Sequence, residues 1–284
     1  LNKEGKLTLE CAVSDMGPGT TTSMTKIAAA AMQMPIEKIK FKLGDSDLPP
    51  GPSQGGSGTT STVGSAVDLA CKTLQQKLKE IAIKSAPVFS GMNAEGLEVK
   101  NEMVISKTDA NVKMDIVGLL KLANQDKIDL TISSNGKTAA QLKFTSNSFS
   151  AHFVKLGVNP KDGTIKILQV VTTGDAGKII SPKTARSQML GGVVGGIGMA
   201  LSEKLEIDHK TGQIINASFG GYHVPLHSHI PPTDVWFVNK PDPNINDIGA
   251  KGIGEIALIG FAAAVTNAVY NATGKRVRDL PITP

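Results

Sequence analysis

Hydrophobic residues recur along this chain at two periods, and the switches between them mark its elements. Leu7, Leu9, Cys11 and Val13 alternate with polar neighbours, the two-residue period of a half-buried strand. The run Thr20-Thr21-Thr22 then offers N-cap oxygens, and an Ala- and Met-rich helix is predicted over 23–34, ended by Pro35. Residues 36–43 read as a second strand, and 45–58 as a loop on their proline and glycine content. From Thr59 onward Val67, Leu69, Leu74, Leu78 and Ile81 give a helical pattern.

Further along, short strands are expected at 97–99, 103–105, 130–132 and 141–144, with a helix at 116–123. A second block begins near Phe149, where strands 151–158 and 164–172 flank the turn composition Pro160-Lys161-Asp162-Gly163. Pro182 opens a helix to about Glu203 that contains Gly191, Gly192, Gly195, Gly196 and Gly198. Each glycine costs a helix interior about 1 kcal/mol relative to Ala, so the run implies close packing against a backbone or a ligand. Strands near Leu205 and Ile214, an irregular stretch 220–232 and a strand at 234–238 precede one more apolar helix, opened by Glu255. Both halves mix helices and strands, which predicts an α+β fold of two related sub-lobes, 1–148 and 149–284.

Composition narrows the function. With 284 residues and 40% hydrophobic content the chain can bury a substantial core. Its net charge of +5 is scattered and its aromatic content is only 4%, which does not make a stacking surface for nucleic acid. Cys11 and Cys71 cannot by themselves supply an iron–sulfur cluster or a zinc site, and read as buried thiols. The longest apolar run, 254–269, is interrupted by Gly260 and Asn267, so no membrane span is predicted. Leu1-Asn2-Lys3-Glu4-Gly5 has neither an initiator Met nor a signal peptide and reads as the interior of a longer polypeptide; the compartment, cytoplasmic or periplasmic, stays open.

Four segments could carry chemistry. Gly17-Pro18-Gly19-Thr20 and Gly55-Gly56-Ser57-Gly58-Thr59 each place backbone amides and hydroxyls at a helix start. Either alone reads as a capped helix, whereas two in one half favour a phosphate-bearing ligand. Neither matches a Walker A loop or a dinucleotide fingerprint. Gln188 lies on the glycine-rich helix and by itself is an ordinary polar residue. Glu255, in Lys251-Gly252-Ile253-Gly254-Glu255, is either a carboxylate stabilising its own helix or a catalytic base. His223, His227 and His229 suggest a metal, but Pro225, Pro231 and Pro232 break the helical spacing that a zinc helix needs. Asp45 and Asp47 read as a turn, and Phe219 and Tyr222 as core before pocket lining.

Taken in order, these segments resemble the molybdenum-binding subunit of the xanthine dehydrogenase/aldehyde oxidoreductase family of molybdenum hydroxylases, in its C-terminal lobe. Met16-Gly17-Pro18-Gly19 is similar to the family's first cofactor loop here and Gly55-Gly56-Ser57-Gly58-Thr59 to its second. Ser181-Pro182 through Gln188 to Gly191-Gly192 resembles its glutamine helix, and Lys251-Gly252-Ile253-Gly254-Glu255 the segment with its active-site glutamate. Gly44-Asp45-Ser46-Asp47-Leu48-Pro49-Pro50 and the tail 272–283 are similar to the bacterial aldehyde oxidoreductases.

The resemblance implies two α/β sub-lobes with mixed, mainly antiparallel sheets packed with helices. It implies a molybdenum–pyranopterin (molybdopterin) in its cytosine dinucleotide form, contacted by Gly17, Gly19, Ser57, Thr59, Gln188 and Gly254, with no residue of this chain ligating the metal. Glu255 would be the base that activates the molybdenum-bound hydroxide, for oxidative hydroxylation of an aldehyde or N-heterocycle with water as oxygen donor. The N-terminal lobe of the same subunit, an iron–sulfur subunit and a FAD subunit are the implied partners. The fragment alone would then be inactive. Pro18 departs from the glutamine common between the two glycines of the first loop and has no amide N–H. A non-catalytic cofactor-binding or assembly lobe is the alternative.

Overall fold

Strands β1 (Leu7–Glu10) and β2 (Ile39–Lys42) pair in parallel, with Leu7 beside Ile39 and Leu9 beside Phe41. A parallel pair needs a crossover, and the helix between them, α1 (Thr20–Met32), supplies it. The long helix α2 (Thr59–Ser85) lies close against α1. A side chain at Gly64 would put its Cβ 2.7 Å from Ile27 Cδ1, so glycine sets that approach. β3 (Leu97–Lys100), β4 (Met103–Ser106) and β5 (Lys113–Asp115) form an antiparallel meander. It leads into α3 (Ile116–Leu122), capped by Asp115, whose carboxylate accepts from the Gly118 amide at 2.7 Å. Met24, Leu78, Phe89, Leu97 and Leu119 are fully buried in this part of the chain.

A second set of elements follows. β6 (Phe149–Val158) and β7 (Ile165–Asp175) make a long antiparallel hairpin, with a register shift between Lys155 and Leu156, and β8 (Thr233–Phe237) pairs in parallel on the other side of β7. The helices α4 (Pro182–Leu201), α5 (Ile256–Ile259) and α6 (Phe261–Thr273) pack with this sheet. Their shared core holds Val170, Val193, Ile197, Phe261 and Val265. This computed structural model describes residues 1–134 and 140–283. Its contacts separate into two compact units, Leu1–Ser146 with Pro241–Ala250, and Asn147–Lys240 with Lys251–Pro284.

Several expectations are corrected. α1 begins three residues early, so Thr20, Thr21 and Thr22 lie inside the helix, and Gly19 is its left-handed N-cap (φ 83°). The strand expected at 36–43 opens with a 3-10 turn, Ile36–Lys38. Residues 130–132 adopt no regular structure, and Gln141–Lys143 is a 3-10 turn rather than a strand. There Gln141 turns inward, and its amide donates to the Pro243 carbonyl at 3.0 Å. The strands near Leu205 and Ile214 shrink to a single bridge, Ile207 to Ile214. The helix after Glu255 is divided: Gly260 ends α5 after one turn and caps α6. The run Ile256–Thr273 has a mean hydropathy of 1.4 and the length of a membrane span, yet Phe261, Ala262, Val265 and Val269 pack into the core.

The glycines of α4 serve packing where they face α5 and α6. A Cβ on Gly192 would lie 2.6 Å from Ala257 Cβ and 3.0 Å from two backbone atoms, and one on Gly196 would lie 2.5 Å from Phe261 Cβ. A Cβ on Gly191 would meet nothing within 4 Å. Gly192→Ala is therefore expected to destabilise the fold by about 1–3 kcal/mol. Gly191→Ala should instead stabilise it by about 0.5–1 kcal/mol through helix propensity. Urea unfolding of the two variants checks the opposite signs.

Candidate functional site

The two glycine loops of the first unit are tied together before each reaches its helix. The Gln54 side chain accepts from the Ser14 amide at 2.7 Å and from the Ser14 hydroxyl at 2.6 Å, and donates to the Ser14 carbonyl at 2.7 Å. One residue beyond each partner the loops begin, at Asp15-Met16-Gly17 and Gly55-Gly56-Ser57. Their two ends of chain thus share one clasp. The structure thus ties the chain that leads to Gly17 and Gly19 to the chain that leads to Ser57 and Thr59.

The loops differ at their helix starts. In the first, the Asp15 carboxylate accepts from the amides of Gly17 at 3.0 Å, Gly19 at 3.3 Å and Thr20 at 3.0 Å. This loop already holds an anion, and it is a side chain of the chain itself. In the second, α2 starts at Gly58 with no side-chain cap. Gly56 and Ser57 have φ of 58° and 59°, and Cβ atoms on Gly55 or Gly56 would meet nothing within 4 Å. The Ser61 and Thr62 hydroxyls donate to the Gly58 carbonyl at 2.8 and 3.0 Å, so they bind the first turn from within. The N-cap Gly58 has no side chain, and the first turn of this 27-residue helix carries no acidic residue.

In the second unit the segment bearing Gly254 and Glu255 is irregular backbone held at several points. Lys251 is almost buried, its side chain 8% exposed. Its ammonium lies 3.2 Å from Asp175 Oδ1 at the end of β7 and donates to the Asn147 carbonyl at 3.0 Å. Its backbone amide donates to the Ala176 carbonyl at 2.8 Å, and the Phe149 ring lies 6.0 Å from the ammonium. Burial works to raise the Asp175 carboxyl, but the Gly177 amide and the Lys251 ammonium outweigh it and hold the pKa below the usual carboxylate range. The Ser148 hydroxyl donates to the Gly252 carbonyl at 2.6 Å and the Ser150 hydroxyl to the Ile256 carbonyl at 2.6 Å. Between these holds Glu255 stands exposed at the head of α5, with Ile256 and Ala257 buried behind it.

Gln188 sits half-exposed on α4, one residue before the fully buried Met189. Met189 packs with Ile256 and Ala257, so the glutamine helix and the Glu255 turn share one small core. Gly174 makes room for it, since a Cβ there would lie 3.2 Å from Ile256 Cδ1 and 3.3 Å from Met189 Cε. Ser148, Ser150, Asp175 and Asn147 have no motif, and sequence reading passed over them. Their one signal is the alternation Ser148, Ser150, His152 at the start of β6, with Ser148 just before the strand.

The other candidates stand apart. Phe219 is 85% exposed and not core, on an irregular stretch of chain. Tyr222 donates to Glu203 Oε2 at 2.9 Å. His227–His229 form an exposed 3-10 turn in which His229 Nδ1 accepts from the Leu226 amide at 3.2 Å. Asp45 closes a turn by accepting from the Asp47 amide at 2.9 Å.

Comparison with known proteins matches this arrangement to one family. A family model described as a molybdopterin cofactor-binding domain matches residues 1–231. The aldehyde oxidoreductase molybdenum-binding subunit PaoC of Escherichia coli is 34% identical over 283 residues, covering 100% of this chain and 37% of that protein. A xanthine dehydrogenase molybdenum-binding subunit of Escherichia coli is 28% identical, again over 100% of this chain and 37% of its own length. Among solved structures, the aldehyde oxidoreductase from Desulfovibrio desulfuricans superposes with a TM-score of 0.70 at 25% identity, over 99% of this chain and 28% of that one. The chain therefore spans about a third of the length of the curated relatives it matches.

The Asp175–Lys251 pair carries a pH signature. A carboxyl whose folded pKa is depressed contributes stability that is present above its unfolded value, about 3.9, and is lost as pH falls through the lower folded value. Lys251→Met removes the ammonium, so the acid limb of stability should flatten relative to the unsubstituted protein. Urea unfolding at a series of pH values between about 2 and 5 measures it. Parallel acid limbs would overturn the assignment.

Proposed function

The chain belongs to the molybdopterin cofactor-binding domain family, within the aldehyde oxidoreductase and xanthine dehydrogenase group, and from this premise we propose that it carries the catalytic base of a molybdenum hydroxylase, Glu255. The observation that supports this reading most is the setting of Glu255. Its carboxylate is exposed, while the backbone on either side is gripped through Lys251, Ser148 and Ser150. A carboxylate that only stabilised its own helix would need no such holding, and α5 is only four residues long.

The remaining assignments concern the cofactor. The molybdenum–pyranopterin, as its cytosine dinucleotide, would supply two-electron oxidation of the substrate with water as the oxygen source. Ser57, Thr59 and the start of α2 would take its phosphates. Gly17 and Gly19 would offer close approach rather than amides, because those amides are turned onto Asp15. Gln188 would hydrogen-bond the pterin, and Gly254 would leave room for the centre beside Glu255. Glu255 would accept a proton as the substrate, an aldehyde or N-heterocycle, is hydroxylated.

Electrons would leave through an iron–sulfur subunit and a FAD subunit. Burial pushes the Cys71 thiol up to about 12, and Asp68 adds to this, so it is a poor source of the thiolate that cluster ligation needs. The N-terminal lobe of the same subunit would complete the cofactor cleft.

One observation favours the second reading, a lobe that binds or assembles without turning over: Asp15 occupies the amides of the first loop next to Pro18. Metal analysis of the intact complex separates the two. Molybdenum with a pyranopterin supports the enzyme, and well-folded complex without either supports the alternative.

In the complete, molybdenum-loaded enzyme, Glu255→Ala should leave molybdenum content unchanged and lower kcat by at least about 100-fold. Near-normal turnover in that variant would remove the base assignment.

A further inference from the structure

A chain of side-chain hydrogen bonds runs through the second unit and ends on the backbone of the Glu255 turn. Its donors and acceptors follow by elimination. The Ile256 carbonyl can only accept, so the Ser150 hydroxyl donates to it at 2.6 Å. With its hydrogen committed, Ser150 Oγ must accept from His152 Nε2, 3.1 Å away, and that nitrogen carries the ring hydrogen. Burial lowers the His152 pKa and favours the neutral ring, whose Nδ1 then accepts from the Thr172 hydroxyl at 2.9 Å. Thr172 is fully buried and directly opposite His152 in the β6–β7 register, so the far end of the chain is anchored in the sheet.

The ring itself is locked in place. The edge of the Phe261 ring meets it at 5.7 Å between centroids and 68° between planes. Gly260 lies against its other side, where a Cβ would come 3.1 Å from His152 Cδ2. Both neighbours belong to the junction of α5 and α6. His152 therefore touches the one-turn helix at its end and, through Ser150, grips it near its start.

We infer that His152 is a positioning residue for Glu255: by holding the Ser150 hydroxyl on the Ile256 carbonyl, it fixes the direction in which the α5 turn presents the carboxylate. The inference rests on the reading of Glu255 as the base. A serine hydroxyl alone rotates among several partners, and the imidazole leaves its hydrogen one place to point. Ser148 performs the corresponding grip on the Gly252 carbonyl, so Glu255 lies between two clamped peptides. A four-residue helix has too few internal hydrogen bonds to keep its own orientation.

The test uses the complete molybdenum-loaded enzyme with an aldehyde substrate and two readouts, steady-state kinetics and backbone amide exchange. His152→Phe keeps the ring packing and removes both nitrogens. It should speed exchange at residues 253–259, leave β7 and β8 unchanged, and lower kcat about tenfold or more with KM within about twofold. His152→Gln, whose amide can still donate to Ser150, should restore both readouts substantially. Should His152→Phe fold poorly, Ser150→Ala cuts the same chain while leaving the imidazole packing in place, and the same pattern is expected. Unchanged exchange at 253–259, exchange that rises equally across the sheet, or faster local exchange with unchanged kcat would each overturn the proposal. If Glu255→Ala retains turnover while His152→Phe still loosens the turn, the base reading is what has failed, and the positioning role falls with it.

Discussion

Lys251 holds the segment that carries Glu255, and its ammonium does so from a site almost withdrawn from water. A charge in that position is stable only if its lost hydration is replaced, and Asp175 and the Asn147 carbonyl replace it. Because Asp175 ends β7 and Asn147 precedes β6, the lysine fastens an irregular segment to the most regular part of the second unit. The grip then continues along the chain through the Gly252 and Ile256 carbonyls. Irregular backbone has polar groups that no ladder satisfies. Here serine hydroxyls from one strand satisfy them, and the segment gains a defined shape without secondary structure of its own.

The glycines of α4 complete this construction from the opposite side. In isolation they weaken a helix, by about 1 kcal/mol each. Gly192 and Gly196 offset that cost by letting Ala257 and Phe261 approach closer than any side chain would permit. The short α5 turn is thereby pressed onto α4, with Met189 beneath Ile256 and Ala257. Glycine density alone points to close packing, but not to which glycines face it. Gly191 does not, and its open surroundings adjoin the half-exposed stretch that bears Gln188.

Legibility in the sequence followed how local each cause was. α2, α4 and the β6–β7 hairpin were readable because their periods, Pro182 and the Pro160–Gly163 turn all act within a few residues. The break at Gly260 was visible as a glycine in an apolar run, but its effect depends on His152, some hundred residues earlier. Strands expected near Leu205 and Ile214 had the right residues and lacked a neighbouring sheet to extend them. The site was legible as motifs, and the supports of those motifs were not. On β6 the row that faces inward is the one bearing Val154 and Leu156, which pack against the core. Ser150 and His152 share that row, while Phe149 and Phe153 on the other are each 65% exposed. From there the Ser150 hydroxyl supplies the donor that the Ile256 carbonyl lacks.

The two glycine loops show why similar sequences at two helix starts need not serve one ligand in the same way. Both place glycine before a threonine-rich first turn, and both helices have their positive end toward the loop. Yet the first loop contains Asp15 two residues before Gly17, near enough for its carboxylate to collect three amides. The corresponding position before Gly56 is Gln54, whose neutral amide turns back to Ser14 instead. One loop has thus turned its donors onto a built-in anion, and the other has a glycine, without a side chain, at its N-cap. The clasp between Ser14 and Gln54 makes the difference cooperative, since the same glutamine that leaves the second loop uncapped is what holds the first loop beside it. A phosphate arriving at this pair would meet an attractive site at α2 and a repelling carboxylate at α1. On the proposed reading, an elongated anionic cofactor would set its charged end at the second loop and its neutral surface along the first.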